Sequence, residues 1–211
     1  MKPGHYRLLH LKDETEAVGV EMVFERGRFD NLRDPANKPR AIAAFNLFQT
    51  PPDIADRMAA MLPDVGDGVI LEPSAGLGRL YTALRRAGHA GPVILVEQSP
   101  DCCRELYELT QEDNAATLKQ GDFLDMSFKD VDAVIMNPPF KMGRDIKHIL
   151  HAFDCLAPGG LLVSLCYNGV KQNKQLKPIA DTWEVLPAGS FRKEGTNAEI
   201  VLLTLTKGKN K

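Results

Sequence analysis

An asparagine, two prolines and a phenylalanine follow a short apolar run in the second half of the chain, where residues 133–140 read AVIMNPPF. An apolar run without polar alternation is typical of a strand buried on both faces of a parallel sheet. We therefore expect Asn137 at the carboxyl edge of such a sheet, where open α/β folds bind ligands. Because prolines have no N–H to donate, the Asn137 side-chain oxygen and the Pro138 carbonyl are expected to be fixed acceptors beside the ring of Phe140.

Two hydrogen-bond acceptors beside an aromatic face suit a planar group that carries an NH2, and an aromatic base is the obvious candidate. The alternative is a simple strand-ending turn, because Asn and Pro are common turn residues. The motif alone does not decide between these two interpretations, so the rest of the chain has to.

A turn with two glycines, residues 72–78 with the sequence EPSAGLG, joins a predicted strand to a predicted helix. Glycines allow the backbone to approach a ligand closely, and the N-terminus of the following helix offers free N–H groups. The turn lacks the Gly-Lys-Ser/Thr of a nucleotide-phosphate loop and the complete Gly-x-Gly-x-x-Gly dinucleotide fingerprint. A ligand-binding turn and a plain tight turn therefore both remain open.

Acidic residues follow the next two predicted strands. Glu97 closes the second strand, 19 residues after Gly78, and a carboxylate at this kind of spacing can hold ribose hydroxyls. Asp122 and Phe123 follow the third strand and suit an adenine, since the carboxylate can accept from the amine while the ring covers the base. Each signal is ambiguous alone, because an exposed strand end needs no ligand. A chance sequence would rarely carry all of these signals, in this order, at consecutive strand ends.

Strand and helix patterns alternate along most of the chain. Apolar periodicity predicts strands at residues 69–72, 93–97, 118–120, 131–136 and 161–166. The intervening periodicity predicts helices over residues 50–62, 77–87, 99–115 and 146–156. This alternation indicates right-handed βαβ units and a parallel sheet with helices on both faces.

Capping and turn residues predict where individual elements begin and end. Thr50 is expected to be the N-cap of the first helix, with proline in its first turn. The segment 158–160, Pro-Gly-Gly, is expected to end the fourth helix. Two late strands, one at Phe191 and one over 200–206, are predicted to be joined tightly at 195–197 and to add an antiparallel edge.

Composition sets broad bounds on the function. The 211 residues are 44% hydrophobic with a net charge of −2, which supports one globular domain and argues mildly against a strongly nucleic-acid-binding one. Four cysteines without Cys-x-x-Cys spacing and no visible signal peptide predict a cytoplasmic protein without zinc or disulfides. Lysines and arginines nevertheless cluster in two segments, where solvated surface charge is the simpler interpretation: Arg26, Arg28, Arg33, Lys38 and Arg40, and Lys171, Lys174, Lys177, Arg192 and Lys193.

Taken together in this order, the motifs resemble those of S-adenosylmethionine-dependent methyltransferases that act on the N6 amine of adenine in DNA. The NPPF segment matches their catalytic motif, which implies catalytic roles for Asn137, Pro138, Pro139 and Phe140. The EPSAGLG turn, Glu97 and the Asp-Phe pair match successive cofactor motifs, and Phe48 to Pro52 resembles the motif that precedes the cofactor loop. The cofactor-binding residues implied are Thr50, Glu72, Pro73, Ser74, Gly76, Gly78, Glu97, Asp122, Phe123 and Asn137.

The resemblance implies a Rossmann-like class I methyltransferase fold: a mostly parallel seven-stranded sheet with an antiparallel edge hairpin and helices on both faces. Its motif order is the gamma type. Residues 45–206 are assigned to the methyltransferase domain, 1–44 to an N-terminal extension and candidate part of the substrate cleft, and 207–211 to a disordered tail. S-adenosylmethionine is the expected cofactor and DNA the expected partner, with neither metal nor membrane. No separate recognition domain is identified, so a partner subunit that supplies specificity is a further expectation.

Three alternatives remain open on the sequence. Ribosomal-RNA methyltransferases share the NPPF motif, so RNA is the nearest alternative substrate. Protein-glutamine methyltransferases also present an amide NH2 to such a site, but they usually carry tyrosine where this chain has Phe140. A catalytically silent nucleic-acid-binding subunit is the third, and the intact Asn137 counts against it. Host restriction–modification and phage modification are equally compatible with the residues.

Overall fold

A computed structural model describes residues 48–208. Predictions for residues 1–47, including the N-terminal extension and the first basic cluster, and for residues 209–211 of the tail lie outside this range. The strands are β1 (Ile70–Glu72), β2 (Val93–Glu97), β3 (Ala116–Gln120), β4 (Val131–Met136), β5 (Leu156–Tyr167), β6 (Thr182–Val185) and β7 (Ile200–Thr206). The helices are α1 (Pro52–Met61), α2 (Arg79–Arg86), α3 (Pro100–Thr110), α4 (Arg144–Cys155) and α5 (Val170–Gln175).

All seven strands form one sheet in the order β3-β2-β1-β4-β5-β7-β6. Neighbouring strands from β3 to β5 are parallel, whereas β7 is antiparallel to both β5 and β6. This arrangement confirms the predicted class I methyltransferase fold with its antiparallel edge. The carboxyl ends of β1 to β4 therefore meet at one edge of the sheet, where folds of this kind bind ligands.

The central strands are buried on both faces, which explains their unbroken apolar runs. Ile70 and Ile135 face one hydrophobic cluster together with residues of α1 and α2. Leu71 and Met136, on the opposite face, pack in a second cluster with residues of α4. Among residues 48–208, no helix is long and apolar enough to cross a membrane.

The start of α1 differs from the sequence prediction. Pro51 is the N-cap, with φ −52° and ψ 143° and without a side-chain cap, so the prediction of Thr50 as N-cap was wrong. A residue before proline is disfavoured in the helical region of backbone space, and Pro51 precedes Pro52. The helix therefore begins one residue later, and Thr50 is buried, 2% exposed.

The end of α3 also differs, because the helix stops at Thr110 rather than near 115. The Asp113 carboxylate accepts from the backbone N–H of Ala115 at 2.9 Å, from the Tyr81 hydroxyl at 2.5 Å and from Arg85 Nε at 2.6 Å. The bonds from Tyr81 and Arg85, both on α2, hold Asp113 in a turn. A tertiary contact therefore ends this helix before its sequence pattern does.

The Pro-Gly-Gly segment 158–160 lies inside β5 and does not end α4, which stops at Cys155. Val131 pairs with Leu156 and Ala133 pairs with Leu161, so the segment between them forms a bulge in β5. A Cβ atom on Gly160 would stand 3.0 Å from the carbonyl oxygen of Asp132. Glycine is needed here because two backbones approach closely, and the sequence signal for a helix end was a strand bulge.

The partner of β7 at the sheet edge is β6, Thr182–Val185, and not a strand at Phe191 as predicted. Residues 186–199 form the connection between these two strands. Phe191 lies within that connection and is 1% exposed, in the cluster that contains α1 and α2. The ring therefore anchors a loop to the core. In the sequence alone, an isolated aromatic residue of this kind looks the same as one in a strand.

A buried carboxylate joins α4, β5 and α5. Asp145 accepts hydrogen bonds from the backbone N–H of Tyr167 at 3.1 Å and from Gln172 Nε2 at 2.9 Å and 3.0 Å. Burial raises the pKa of Asp145, and the bonds from Gln172 and Tyr167 oppose that rise. Gln172, itself 4% exposed, thus offsets part of the cost of holding a carboxylate inside the protein.

We expect Gln172→Leu to lower the free energy of unfolding by about 1–3 kcal/mol at pH 7, because a buried carboxylate loses a donor. The substitution should raise the pKa of Asp145 further, so the loss should shrink as the pH falls and the carboxyl takes up a proton. Urea unfolding at pH 7 and pH 5 measures both effects. Lys174→Ala, an exposed change on the same helix, is the control, and a loss that grows on acidification would contradict this account.

Candidate active site

Residues at the ends of four neighbouring strands come together at the carboxyl edge of the sheet. Glu72 is the last residue of β1 and Glu97 the last of β2. Asp122 follows β3 by two positions, and Asn137 directly follows β4. The parallel pairing of these strands brings the predicted cofactor residues and the predicted catalytic asparagine to the same edge.

The side chain of Asn137 is fixed in one orientation. Its Nδ2 donates to the backbone carbonyl of Phe48 at 2.8 Å, whereas its Oδ1 is buried without a hydrogen-bond partner. A buried acceptor without a partner is costly and uncommon in native proteins. The arrangement therefore leaves one acceptor for a donor that these residues do not provide.

The segment after Asn137 turns sharply into α4. Phe140 is half-buried against the cluster that contains α1 and α2. Met142 (φ 58°) and Gly143 (φ 74°) both have left-handed backbone conformations, which are strained for a residue other than glycine. The Met142 side chain is 89% exposed, so the turn presents an apolar group to solvent beside the NPPF segment.

The turn between β1 and α2 is held by Glu97. The backbone N–H of Gly76 donates to Glu97 Oε2 at 2.8 Å, and that of Ser99 donates to Oε1 at 2.7 Å. Gly76 (φ 55°) and Gly78 (φ 78°) have left-handed backbones. A Cβ atom on Gly78 would stand 2.5 Å from the Leu109 side chain. The left-handed backbone therefore favours glycine at position 78, and a larger residue would also displace the Leu109 side chain.

Glu72 is buried at the base of this turn, with 1% exposure and an unpartnered Oε2. Burial raises the pKa of Glu72 well above its ordinary value; the backbone N–H of Tyr81 opposes this rise, and the nearby Glu97 adds to it. A neutral carboxyl at this position can donate as well as accept a hydrogen bond. Pro73, the next residue, is also buried.

Asp122 is already paired on one side. Its Oδ2 accepts from Arg144 Nη2 at 2.6 Å and its Oδ1 from the backbone N–H of Leu124 at 3.1 Å. Burial by itself raises the pKa of this carboxyl, but the bonds from Arg144 and Leu124 outweigh burial and hold the pKa below its ordinary value. Asp122 is therefore charged at neutral pH and oriented by α4.

The ring of Phe123 lies inside the protein, 2% exposed. It packs against Phe128, with centroids 6.1 Å apart, and against His148 and His151, at 5.7 Å and 4.7 Å. The prediction that this ring covers a base stays a prediction, since the ring's contacts are with the protein interior.

The segment before α1 closes the site on the other side. Gln49 Oε1 accepts from Arg79 Nη2, at the start of α2, at 3.1 Å. Together with the buried Thr50 and the Phe48 carbonyl, this contact fixes residues 48–50 between α2 and Asn137.

His148 is a site residue that the sequence reasoning missed. Its Nδ1 lies 3.4 Å from Ser74 Oγ in the β1–α2 turn, and its Nε2 is buried without a partner. Burial and the charge of Arg144 lower the pKa of His148 to about 4, so the ring is uncharged at neutral pH. A signal was present, because Arg144, His148 and His151 follow helical spacing and form a polar stripe on one side of α4.

The unsatisfied atoms indicate what this edge can hold. Four buried side-chain atoms of residues 48–208 lack a partner: Glu72 Oε2, Arg85 Nη2, Asn137 Oδ1 and His148 Nε2. Three of the four border the carboxyl edge described above. These three atoms therefore fit a polar ligand that carries amines and hydroxyls, such as a nucleoside. Within residues 48–208, no group of His, Cys, Asp or Glu side chains could hold a metal ion.

Comparisons with known proteins agree with the fold. The sequence is similar to the type II methyltransferase M.CvrRI of Paramecium bursaria Chlorella virus XZ-6E, with 26% identity over 76% of this chain and 48% of that protein. The chain thus spans about half the length of this curated relative. In structure, it is similar to an S-adenosylmethionine-dependent O-methyltransferase of Thermotoga maritima (TM-score 0.58, 18% identity, 78% of this chain and 68% of that chain).

A second structural neighbour is an RNA methyltransferase of Salinibacter ruber in complex with S-adenosyl-L-homocysteine (TM-score 0.56, 20% identity, 77% of this chain and 95% of that chain). The family model of the methyltransferase small domain matches residues 53–190, well over half of the chain. The chain therefore belongs to the methyltransferase small domain family.

Proposed function

We propose that the chain transfers a methyl group to the exocyclic N6 amine of adenine in DNA. The observation that carries the proposal is the buried, unpaired Oδ1 of Asn137 beside a half-buried phenylalanine ring. The Phe48 carbonyl holds the amide so that oxygen, and not nitrogen, is left without a partner. An acceptor of this kind fits an NH2 group on an aromatic base, and the resemblance to adenine-N6 methyltransferases in motif order supports adenine in DNA.

The amine of adenine needs help to react, because its lone pair is delocalised into the ring. Asn137 Oδ1 and the Pro138 carbonyl would each accept one N6 hydrogen, which favours a pyramidal nitrogen with an available lone pair. S-adenosylmethionine, when bound, would supply a methyl group made electrophilic by its sulfonium, with the thioether S-adenosylhomocysteine as the leaving group and one N6 proton lost to solvent. The two acceptors would bind the N6 hydrogens more strongly in the transition state, where positive charge develops on the nitrogen, than in the ground state, where the amine is flat. This difference in binding raises the rate of methyl transfer.

Phe140 would provide a platform for a base flipped out of the duplex. Its ring packs partly against the hydrophobic cluster of α1 and α2, so it is held rigidly next to Asn137. Stacking on an aromatic ring offsets the cost of unstacking a base, which amounts to about a few kcal/mol.

The residues assigned to the cofactor form the opposite part of the site. In the proposed assignment, the Glu97 carboxylate binds the ribose hydroxyls and Asp122 binds the adenine amine. Each Glu97 oxygen accepts one backbone N–H and keeps a lone pair free for a further donor. Thr50, Glu72, Pro73, Ser74, Gly76, Gly78 and Phe123 would line the remainder of the cofactor site.

Charge near the site supports a nucleic-acid partner. Residues 168–180, which follow β5, carry three lysines and no acidic residue, although the whole chain has a net charge of −2. Lys171, Lys174 and Lys177 are exposed. Lysines at such positions contact phosphates and make binding dependent on salt. RNA remains the second candidate substrate, because the Asn137 site offers the same acceptors to an adenine in either nucleic acid.

Incubation with labelled S-adenosylmethionine and a panel of duplex DNA, RNA and protein tests the proposed reaction directly. We expect the label in DNA, and nucleoside mass spectrometry should identify N6-methyldeoxyadenosine. Label in RNA would assign the second candidate substrate. Label in glutamine, or no transfer by a folded protein that binds the cofactor, would refute the proposal.

Replacing Glu97 by alanine should weaken cofactor binding. The variant loses the charged acceptor, and hydrogen bonds to charged groups contribute about 1.5–3 kcal/mol, which corresponds to roughly tenfold to a hundredfold in affinity. Calorimetry with S-adenosylhomocysteine measures the change. Asp101→Ala, an exposed acid on α3, is the matched control. Equal affinity in the Glu97 variant and the wild type would show that Glu97 does not bind the cofactor.

Replacing Asn137 by alanine should abolish most turnover while cofactor affinity is kept. Loss of one preorganised partner of a reacting group costs about 10²–10³ in rate. Single-turnover methylation gives the rate, and calorimetry together with thermal unfolding shows whether the fold and the cofactor site persist. Asn168→Ala, on the loop after β5, is the control. A folded Asn137→Ala variant with near-normal turnover would remove Asn137 from the catalytic assignment.

A further inference from the structure

His148 stands at the junction of two segments that the reaction requires. It lies on α4, which begins shortly after the NPPF motif, and it contacts Ser74 in the turn between β1 and α2. His148 is enclosed, since it is 4% exposed and its ring packs against the buried Phe123, whereas Ser74 is partly exposed.

The β1–α2 turn is held on its β2 side by backbone groups and by Glu97. Ala75 donates to the Val96 carbonyl at 3.0 Å, and Gly76 donates to Glu97 Oε2 at 2.8 Å. On the α4 side, the contact is between Ser74 Oγ and His148 Nδ1, 3.4 Å apart. Because the distance is near the long end for a hydrogen bond, a small movement of the turn would strengthen or break it.

The protonation of the ring determines what its second nitrogen offers. The titratable groups around the ring are Arg144 and Asp122, which pair with each other at 2.6 Å, and His151 one turn away. Burial keeps the ring uncharged at neutral pH, so one nitrogen donates and the other accepts. Whichever role Nδ1 takes with Ser74, Nε2 is left buried without the complementary partner.

We propose that His148 is a positioning residue of the cofactor site, which fixes Ser74 and couples the β1–α2 turn to the helix that follows Asn137. The proposal rests on the assignment of residues 72–78 to cofactor binding, but it does not depend on the adenine target. Nε2 is then a second hydrogen-bonding atom at the same site, available to a bound polar group or a water. His148 does not touch the reacting atoms in this scheme, so it acts on the affinity for the cofactor and on the orientation of the β1–α2 turn.

The test measures binding of S-adenosylhomocysteine by calorimetry at neutral pH, without any turnover. His148→Ala and Ser74→Ala should each weaken binding about tenfold, the scale of one hydrogen bond. The double variant should lose no more than either single variant, because both remove the same contact. His148→Asn, whose amide lies near the position of Nδ1, should restore most of the affinity, whereas His148→Gln, whose amide lies near Nε2, should not.

His151→Ala is the matched control. His151 lies one turn along α4, packs against the same Phe123 ring and donates from Nε2 to the Met126 carbonyl, but no hydrogen bond joins it to the β1–α2 turn. It should leave the affinity unchanged even if it lowers the melting temperature. If His148→Ala fails to fold, the comparison of His148→Asn with His148→Gln carries the test.

Distinct results separate the possible failures. A folded wild-type protein that binds no S-adenosylhomocysteine would overturn the assignment of residues 72–78. Wild-type binding with additive losses at Ser74 and His148, or with equal losses in His148→Ala and His151→Ala, would overturn the positioning role alone. Failure to methylate DNA would leave the His148 proposal standing.

Discussion

A single hydrogen bond orients the amide group of Asn137. What the carboxyl edge of the sheet offers to a ligand depends on that orientation. The oxygen and nitrogen of an asparagine amide are nearly equal in size, so packing alone does not choose between them. The Phe48 carbonyl can only accept, so it takes the Nδ2 of Asn137 and leaves the oxygen facing the site. The two residues are 89 positions apart, so this choice depends on how residues 48–50 dock against the sheet. Gln49, bonded to Arg79, and the buried Thr50 hold that docking in place.

The same edge carries a cost that the two hydrophobic clusters have to offset. A buried polar group without a partner costs about 1–3 kcal/mol, and three such atoms border the site. Burial reduces this cost by favouring neutral forms: it raises the pKa of Glu72 and lowers that of His148 to about 4. The pKa values of Glu72 and His148 thus shift in opposite directions for one reason, the exclusion of water. Charge persists in the Asp122–Arg144 pair, where each partner neutralises the other.

The parts of the fold that were predicted from the sequence are those set by local pattern. The strands β2 and β4 match their predicted bounds, because a strand covered on both faces needs an unbroken apolar run. The convergence of Glu97 and Asn137 on one edge followed from the parallel arrangement alone. In contrast, the early end of α3 and the loop position of Phe191 depend on neighbours distant in sequence, whereas the cap of α1 was a misreading of a local signal, the Pro51–Pro52 pair. His148 was missed because the polar stripe on α4 does not reveal which loop it faces, and its contact with Ser74 joins residues distant in sequence.

Helix α4 connects these observations, because its side chains reach three of the strand ends. Arg144 bonds to Asp122 after β3, Asp145 to the backbone of Tyr167 at the end of β5, and His148 to Ser74 after β1. The direction of the helix is set at its start by two consecutive left-handed residues, Met142 and Gly143. Such a conformation at a methionine costs roughly 1–3 kcal/mol and persists only where the surroundings fix it. The bonds from Arg144 and Asp145 supply that constraint. Through the longer His148–Ser74 contact, the same helix joins the turn after the asparagine motif to the loop assigned to the cofactor. In the proposed reaction, a link of this kind would help to keep the amine and the methyl donor at a fixed separation, and at that scale small displacements have large effects on rate.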